Sequence, residues 1–210
     1  RANDMRLPNV EAELRAKAFI IHPGQDFSLI DQDVSLKGEG KSPVIIWNHR
    51  WEHDKNPERF FAALFELDRR QIDFKLVVMG EEFRNYPPVF DEAREKLGHR
   101  ILKFGYAESR EEYCKWLRQG DTVLSTADHE FFGISVVEAV RAGCRPLLPN
   151  RLSYPELFPS EYLYEDDELA DKLIETLGQG GLAAETSTAL TERFSWEVVR
   201  DQYHDWLFGQ

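Results

Sequence analysis

The chain has 210 residues, 42% of them hydrophobic and 12% aromatic, which is the composition of a folded globular protein and excludes an intrinsically disordered one. Its 38 acidic and 26 basic residues give a formal net charge of −12, which excludes a broad non-specific nucleic-acid face but leaves room for a local basic cleft for a phosphate. No stretch reaches the length of a membrane span, the start shows no signal-peptide pattern, and Cys114 and Cys144 match no zinc or redox spacing. A cytoplasmic protein is expected, with both cysteines reduced, small core residues in apolar helical contexts.

Residues 1–17 have the pattern of a polar helix whose sparse apolar positions are Leu7, Val10 and Leu14, too thin a stripe for a self-contained domain. Ala18 to His22 is expected as a short apolar strand halted by Pro23-Gly24, and 25–42 as an acidic linker or meandering loop. Order begins at Pro43 with the apolar run Val44-Ile-Ile-Trp47, of the type buried on both faces of a sheet. Asn48 to Lys55 forms a loop, and Asn56-Pro57 opens a helix with Asn as cap, Pro at the first position and a core stripe of Phe60, Phe61, Leu64, Phe65 and Leu67. Next come a strand over Phe74 to Met79, a helix over Val89 to Leu97 and a strand over Ile101 to Phe104. Ser109 with Glu112 predicts a capping box for the helix holding Tyr113, Trp116 and Leu117. Strands are expected at Thr122 to Leu124, Pro146 to Pro149 and Tyr162 to Tyr164, then a helix over Glu168 to Leu177, a break at Gly178 to Gly181, and two closing amphipathic helices. The last of these carries Trp196, Val199, Tyr203, Trp206 and Leu207.

Strand and helix alternate about six times with short connections, which specifies an α/β fold: a Rossmann-like, doubly wound parallel sheet. Such sheets place ligands beyond the carboxyl ends of their strands, so the functional loops are those after Trp47, Met79, Phe104, Leu124 and Leu148.

The stretch from Ser125 to Cys144 carries the chemistry. A buried strand leads through a polar loop and Gly133 into a helix with Ile134, Val137, Ala139 and Val140 on its apolar side. That arrangement aims backbone N–H groups and a helix dipole at an anion. Glu130 in the loop and Glu138 about one turn inside the helix bracket the turn, eight positions apart. Either alone is ordinary, a capping or solvated residue; the pair together with the glycine indicates a ligand site. Arg50 and Lys55 lie on the loop after the first strand, placed either to clamp a diphosphate or to balance Glu52 and Asp54 as surface cations. His49 and His53 have i, i+4 spacing, but Trp51 between them and Pro57 after them argue against a helix, and with His129 they form no diagnostic ligand set, so hydrogen bonding or packing in the cleft is favoured over a metal. The segment Trp47-Asn-His-Arg50 has no glycine, which weighs against a dinucleotide site, and no Walker loop or nucleophile elbow is present.

Together, Arg50 and Lys55, the Phe104-Gly105 turn, Glu130-Phe-Phe-Gly133 through Glu138, and Ala142-Gly143-Cys144 with Pro146 resemble the donor-binding half of retaining GT-B glycosyltransferases of the group 1 family, whose signature is two Glu residues separated by seven others. The resemblance spans Ile21 to Leu207. More narrowly, the segments 47–55, 126–133 and 149–157 are similar to tRNA-queuosine mannosyltransferases, which transfer mannose from GDP-mannose to the queuosine base of a tRNA.

The resemblance implies that Arg50 and Lys55 neutralise the donor diphosphate, that Glu138 accepts hydrogen bonds from the ribose hydroxyls, and that Glu130 meets the transferred sugar. It implies that Phe132, Gly133 and Ile134 offer backbone N–H groups, that Phe104, Gly105 and Tyr106 read the base, and that His129 contacts a sugar hydroxyl. It implies a metal-independent reaction with retention, no cofactor beyond the nucleotide-sugar donor, and a tRNA acceptor held mainly by a preceding domain. The expected organisation is therefore 1–42 as a remnant of that domain plus linker, 43–180 as the nucleotide-sugar-binding domain, and 181–210 as helices packing back toward the missing domain. A UDP-sugar donor with another acceptor, or a non-catalytic nucleotide-binding regulatory domain, are the alternatives the residues leave open.

Overall fold

The structure, a computed structural model, describes residues 10–32, 41–82 and 85–209. The chain forms two compact units, Asp26–Glu192 and a terminal unit joining the residues up to Gln25 with those from Arg193 onward.

In the terminal unit, α1 (Val10–Lys17) buries no side chain, as its thin apolar stripe requires; residues 1–9 of the expected helix lie outside the described residues. Ala18 to His22 does not form the expected strand. Four apolar residues and a histidine favour extension but need a partner edge, and among the described residues nearby the backbone pairs where Gln25 makes a single parallel bridge to Ser195. A Cβ on Gly24 would lie 2.1 Å from the Trp196 ring, so only glycine fits there.

In the larger unit, part of the expected linker is packed structure: Asp26 accepts the Ser28 N–H at 2.9 Å, starting α2 (Ser28–Asp31), and Phe27 and Ile30 are buried. Residues 33–40 of that segment lie outside the described residues. There follow β1 (Val44–Asn48), α3 (Pro57–Arg69), β2 (Lys75–Met79), α4 (Val89–Leu97), β3 (Ile101–Phe104), α5 (Arg110–Gln119) and β4 (Thr122–Leu124). The remainder is α6 (Ile134–Arg141), β5 (Arg145–Pro149), α7 (Tyr154–Leu157), β6 (Leu163–Tyr164), α8 (Leu169–Gln179) and α9 (Ala184–Thr191), with α10 (Trp196–Phe208) returning to the terminal unit. The strands form one parallel sheet in the order β3-β2-β1-β4-β5-β6. Parallel neighbours require crossovers, and the helices supply them.

Alternation along β1 decides what each face meets. Ile45 and Trp47 join a core with Phe60, Phe61 and Leu64 of α3, Phe90 of α4 and Leu173 of α8. Trp51 stacks on Phe90 with ring centroids 4.2 Å apart. On the opposite face Ile46 approaches Gly120, and Asn48 reaches α5 and α6.

Local signals explain most boundaries. The Asn56 side chain caps α3 by accepting the Arg59 N–H at 3.2 Å, and Pro57 takes the first position, where no N–H is needed. Ser109 caps α5, but the capping box is incomplete: the Glu112 carboxylate accepts the N–H of Glu108 rather than that of Ser109. Two expectations need correction. Tyr162 lies in a 3-10 turn, leaving β6 only Leu163–Tyr164, and α8 continues through Gly178 and stops only where Gly180 takes φ +67°. In α10 Val199 is buried while Trp196, Trp206 and Leu207 are exposed.

Candidate functional site

The strand order reverses between β1 and β4, so the loops leaving their carboxyl ends turn to opposite faces and leave a crevice between them. The loop after β4 is tied down over that crevice. Ser125 Oγ shares a 2.7 Å hydrogen bond with the Tyr154 hydroxyl, and the Tyr164 hydroxyl donates to the Ser125 carbonyl at 2.9 Å. Burial raises the pKa of both tyrosines above the ordinary value, so they remain O–H donors. Thr126 Oγ1 donates to the carbonyls of Lys55 and Asn56, while the N–H groups of Asp128 and His129 donate to the Asp54 carbonyl. The two loops are therefore tied to each other through side-chain and backbone hydrogen bonds.

Gly133 ends the second loop. Its φ of +94° suits glycine, and a Cβ would press on the Tyr154 ring at 3.2 Å. It is the N-cap of α6, where no side chain accepts from the first N–H groups, so the positive end of the helix dipole faces the crevice uncapped by a side chain.

Glu130 and Lys55 meet beneath this turn. A short 3-10 turn, His53–Lys55, directs the Lys55 side chain inward, leaving the residue 7% exposed. Its ammonium donates to the His129 carbonyl at 2.6 Å and lies 3.3 Å from both Glu130 Oε2 and Asp54 Oδ2. Glu130 Oε1 accepts the Phe131 N–H at 3.1 Å. His49 is buried beside this group. Desolvation lowers its pKa to about 4, more than the neighbouring Glu130 raises it, so the ring is neutral; it packs edge-on to Trp47 and leaves Nε2 buried without a partner.

Glu138, one turn into α6, is also buried. Its Oε1 accepts from Arg110 Nη2 at 2.5 Å and its Oε2 from the Tyr113 hydroxyl at 2.9 Å. Tyr113 in turn accepts from Asn48 Nδ2 at 3.0 Å, and the same amide donates to the Ser135 carbonyl at 2.7 Å, linking β1, α5 and α6. Burial and the Glu138 charge push the Tyr113 pKa well above the phenol value, which keeps the hydroxyl a donor.

The other residues singled out from the sequence are less tightly held. Arg50 is solvent-exposed and pairs with Glu52 at 3.1 Å, and with Lys55 beside Asp54 both local charge balances form. The Phe104 ring packs on Trp51 and Phe90 rather than toward solvent, while Gly105 takes φ +109° and Tyr106 is exposed. His129 contributes its backbone to Lys55 and exposes its side chain; the Phe132 carbonyl accepts from Ser153 Oγ, and Ile134 is exposed. Asn48, Arg110 and Tyr113 were not singled out. Ser109 placed Arg110 in a first helical turn, but nothing local showed that α5 lies against α6. Among the described residues no cluster of three or more His, Cys, Asp or Glu is placed to hold a metal ion, and no helix is long and apolar enough to cross a membrane.

A carboxylate lies on each side of a glycine-opened helix start, Glu130 beside the Lys55 ammonium and Glu138 beside the Arg110 guanidinium. Residues 31–192 match the family of glycosyl transferases group 1. The chain belongs to this family. It is 39% identical over 176 residues to a tRNA-queuosine alpha-mannosyltransferase from Drosophila melanogaster, a match covering 80% of this chain but 46% of that protein. The chain thus spans about half the length of that curated relative. Among solved structures it is similar to a glycosyltransferase from Rickettsia africae (TM-score 0.73, 18% identity, covering 91% of this chain and 58% of the other). It is also similar to the C-terminal domain of a glycosyl transferase group 1 family protein from Francisella tularensis (TM-score 0.56, 21% identity, covering 87% and 95%). These likenesses agree with the parallel sheet in giving this member of the group 1 family the Rossmann-like fold of one GT-B half.

Proposed function

We propose that this chain is the donor-binding part of a retaining mannosyltransferase that takes mannose from GDP-mannose and delivers it to queuosine in a tRNA held by another part of a longer cytoplasmic enzyme. The observation that carries the proposal is the pairing of Glu130 with Lys55 on one side of the uncapped α6 start and of Glu138 with Arg110 on the other. The similarity to the Drosophila mannosyltransferase supports the choice of sugar and acceptor.

In this reading the diphosphate lies over the N–H groups that follow Gly133, where the helix dipole and the nearby Lys55 and Arg50 stabilise charge developing on the leaving phosphate. Glu138 accepts the ribose hydroxyls, and Glu130 meets the sugar and the positive charge that develops on it. Tyr106 and the backbone of the Phe104-Gly105 turn line the base, and His129 faces the sugar. No metal is needed, because the cations and dipole already present neutralise the diphosphate. The leaving phosphate assists attack from the same face, so configuration is retained.

A thermal-shift panel of GDP, UDP, ADP and GDP-mannose, run with and without EDTA, tests the donor. A ligand that binds only the folded state raises its apparent stability. GDP and GDP-mannose are expected to raise the Tm most, equally with EDTA, and the 210-residue chain alone to transfer no mannose to queuosine-containing tRNA. A larger shift with UDP overturns the choice of donor, and transfer by this chain alone overturns its assignment as the donor part only.

A further inference from the structure

Helix α5 belongs to none of the sequence motifs that mark the site, yet two of its side chains hold Glu138. Arg110 Nη2 and the Tyr113 hydroxyl each occupy one carboxylate oxygen, at 2.5 and 2.9 Å. The guanidinium also lies over the Tyr113 ring, 5.1 Å from its centroid. Tyr113 is braced from below by Asn48, whose amide simultaneously reaches Ser135 in the first turn of α6. A carboxylate offers about four lone-pair positions, so two remain after these bonds. Arg110 has a side chain 42% exposed, against 10% for Glu138, so it sits at the rim with the carboxylate behind it.

We infer that Arg110 and Tyr113 are positioning residues of the nucleotide site, fixing the Glu138 carboxylate so that its remaining lone pairs meet a vicinal diol. The inference rests on the proposed assignment of Glu138 to the ribose. Two functions separate along the pair. Arg110 sets a cation against the Oε1 side of a buried carboxylate, a charge-assisted contact that offsets its desolvation. Tyr113 fixes its rotation, so no side-chain entropy is lost when the diol binds. A merely structural tie between α5 and α6 needs neither group to point at the residue assigned to the ligand.

Removing the diol from the ligand separates the possibilities. The probes are GDP and 2′,3′-dideoxy-GDP (or UDP or ADP with its dideoxy analogue, if that nucleotide gives the largest shift in the panel above), titrated calorimetrically into wild type, Glu138→Gln, Tyr113→Phe, Arg110→Met and Arg110→Lys. Wild type is expected to prefer the diol-bearing ligand by about tenfold or more, the worth of charge-assisted hydrogen bonds. Glu138→Gln should abolish most of that preference. Tyr113→Phe and Arg110→Met should each reduce it to about threefold while leaving dideoxy affinity within about twofold, and Arg110→Lys should restore part of it. If wild type shows no preference, the ribose assignment of Glu138 falls, and this inference with it. If wild type and folded Tyr113→Phe and Arg110→Met all keep the full preference, Glu138 stands and the positioning role is wrong. Should Tyr113→Phe fail to fold by circular dichroism, the Met and Lys variants at Arg110 decide the question alone.

Discussion

Glu130 and Glu138 flank the same helix start, but their surroundings are built differently. The Glu130 side is loop on loop: its cation, Lys55, arrives from a 3-10 turn and is shared with Asp54 and a carbonyl. The Glu138 side is helix on helix: its partners are fixed by the packing of α5 on α6 and anchored through Asn48 to the sheet. A carboxylate held by packed helices suits a part of the ligand that stays constant through a reaction. On the proposed function, one held by an ammonium within paired loops suits the part where bonds and charge change, because the ammonium lies beside the place where that charge develops.

The largest way to disturb this contrast is Lys55→Met. It strips the ammonium from Glu130 and Asp54 and a donor from the His129 carbonyl, and is expected to cost about 2–4 kcal/mol in urea unfolding. Arg110→Met, whose guanidinium is partly exposed but whose partner is buried, should cost less, about 1–2 kcal/mol, and equal costs would erase the distinction.

Gly133→Ala acts on both sides at once. It forces a side chain into the left-handed region and toward the Tyr154 ring, so a stability loss of about 1–2 kcal/mol is expected, together with weaker GDP binding. Unchanged stability would show that this backbone turn is not constrained as described.

A smaller effect belongs to the Glu130 side alone. His49 titrates at about 4 in the fold against an ordinary 6.5, facing Glu130, Lys55 and Asp54. The unfolded chain therefore binds more protons between these values, so stability falls as pH drops from about 6.5 toward 4 and is independent of His49 above that window. His49→Gln should flatten the profile there by up to about 1.4 kcal/mol per pH unit. An unaltered slope would mean the imidazole is not held neutral.

The sequence made the sheet legible because its signals are local. Val44 to Trp47 is apolar on both faces, Asn56-Pro57 marks a helix start, and Gly133 with the two glutamates marks the site. Ala18 to His22 carries the same apolar signal and fails, because a strand also depends on a distant partner that local sequence does not display. The burial of Lys55 was hidden for a related reason. His53-Asp-Lys55 has the composition of a solvated loop, and only the turn formed against the β4 loop carries the ammonium inward. Arg110 and Tyr113 were hidden most completely, since the packing of two helices far apart in sequence gives them their role.

The most direct measurement is the GDP and GDP-mannose affinity of Glu138→Gln beside that of Glu130→Gln, by calorimetry on this chain. Glu138→Gln is expected to weaken both ligands alike by about tenfold, whereas Glu130→Gln should leave GDP within about twofold and alter the GDP-mannose affinity alone. Equal loss of GDP in the two variants, or loss in neither, contradicts the division of the site into a nucleotide carboxylate and a sugar carboxylate.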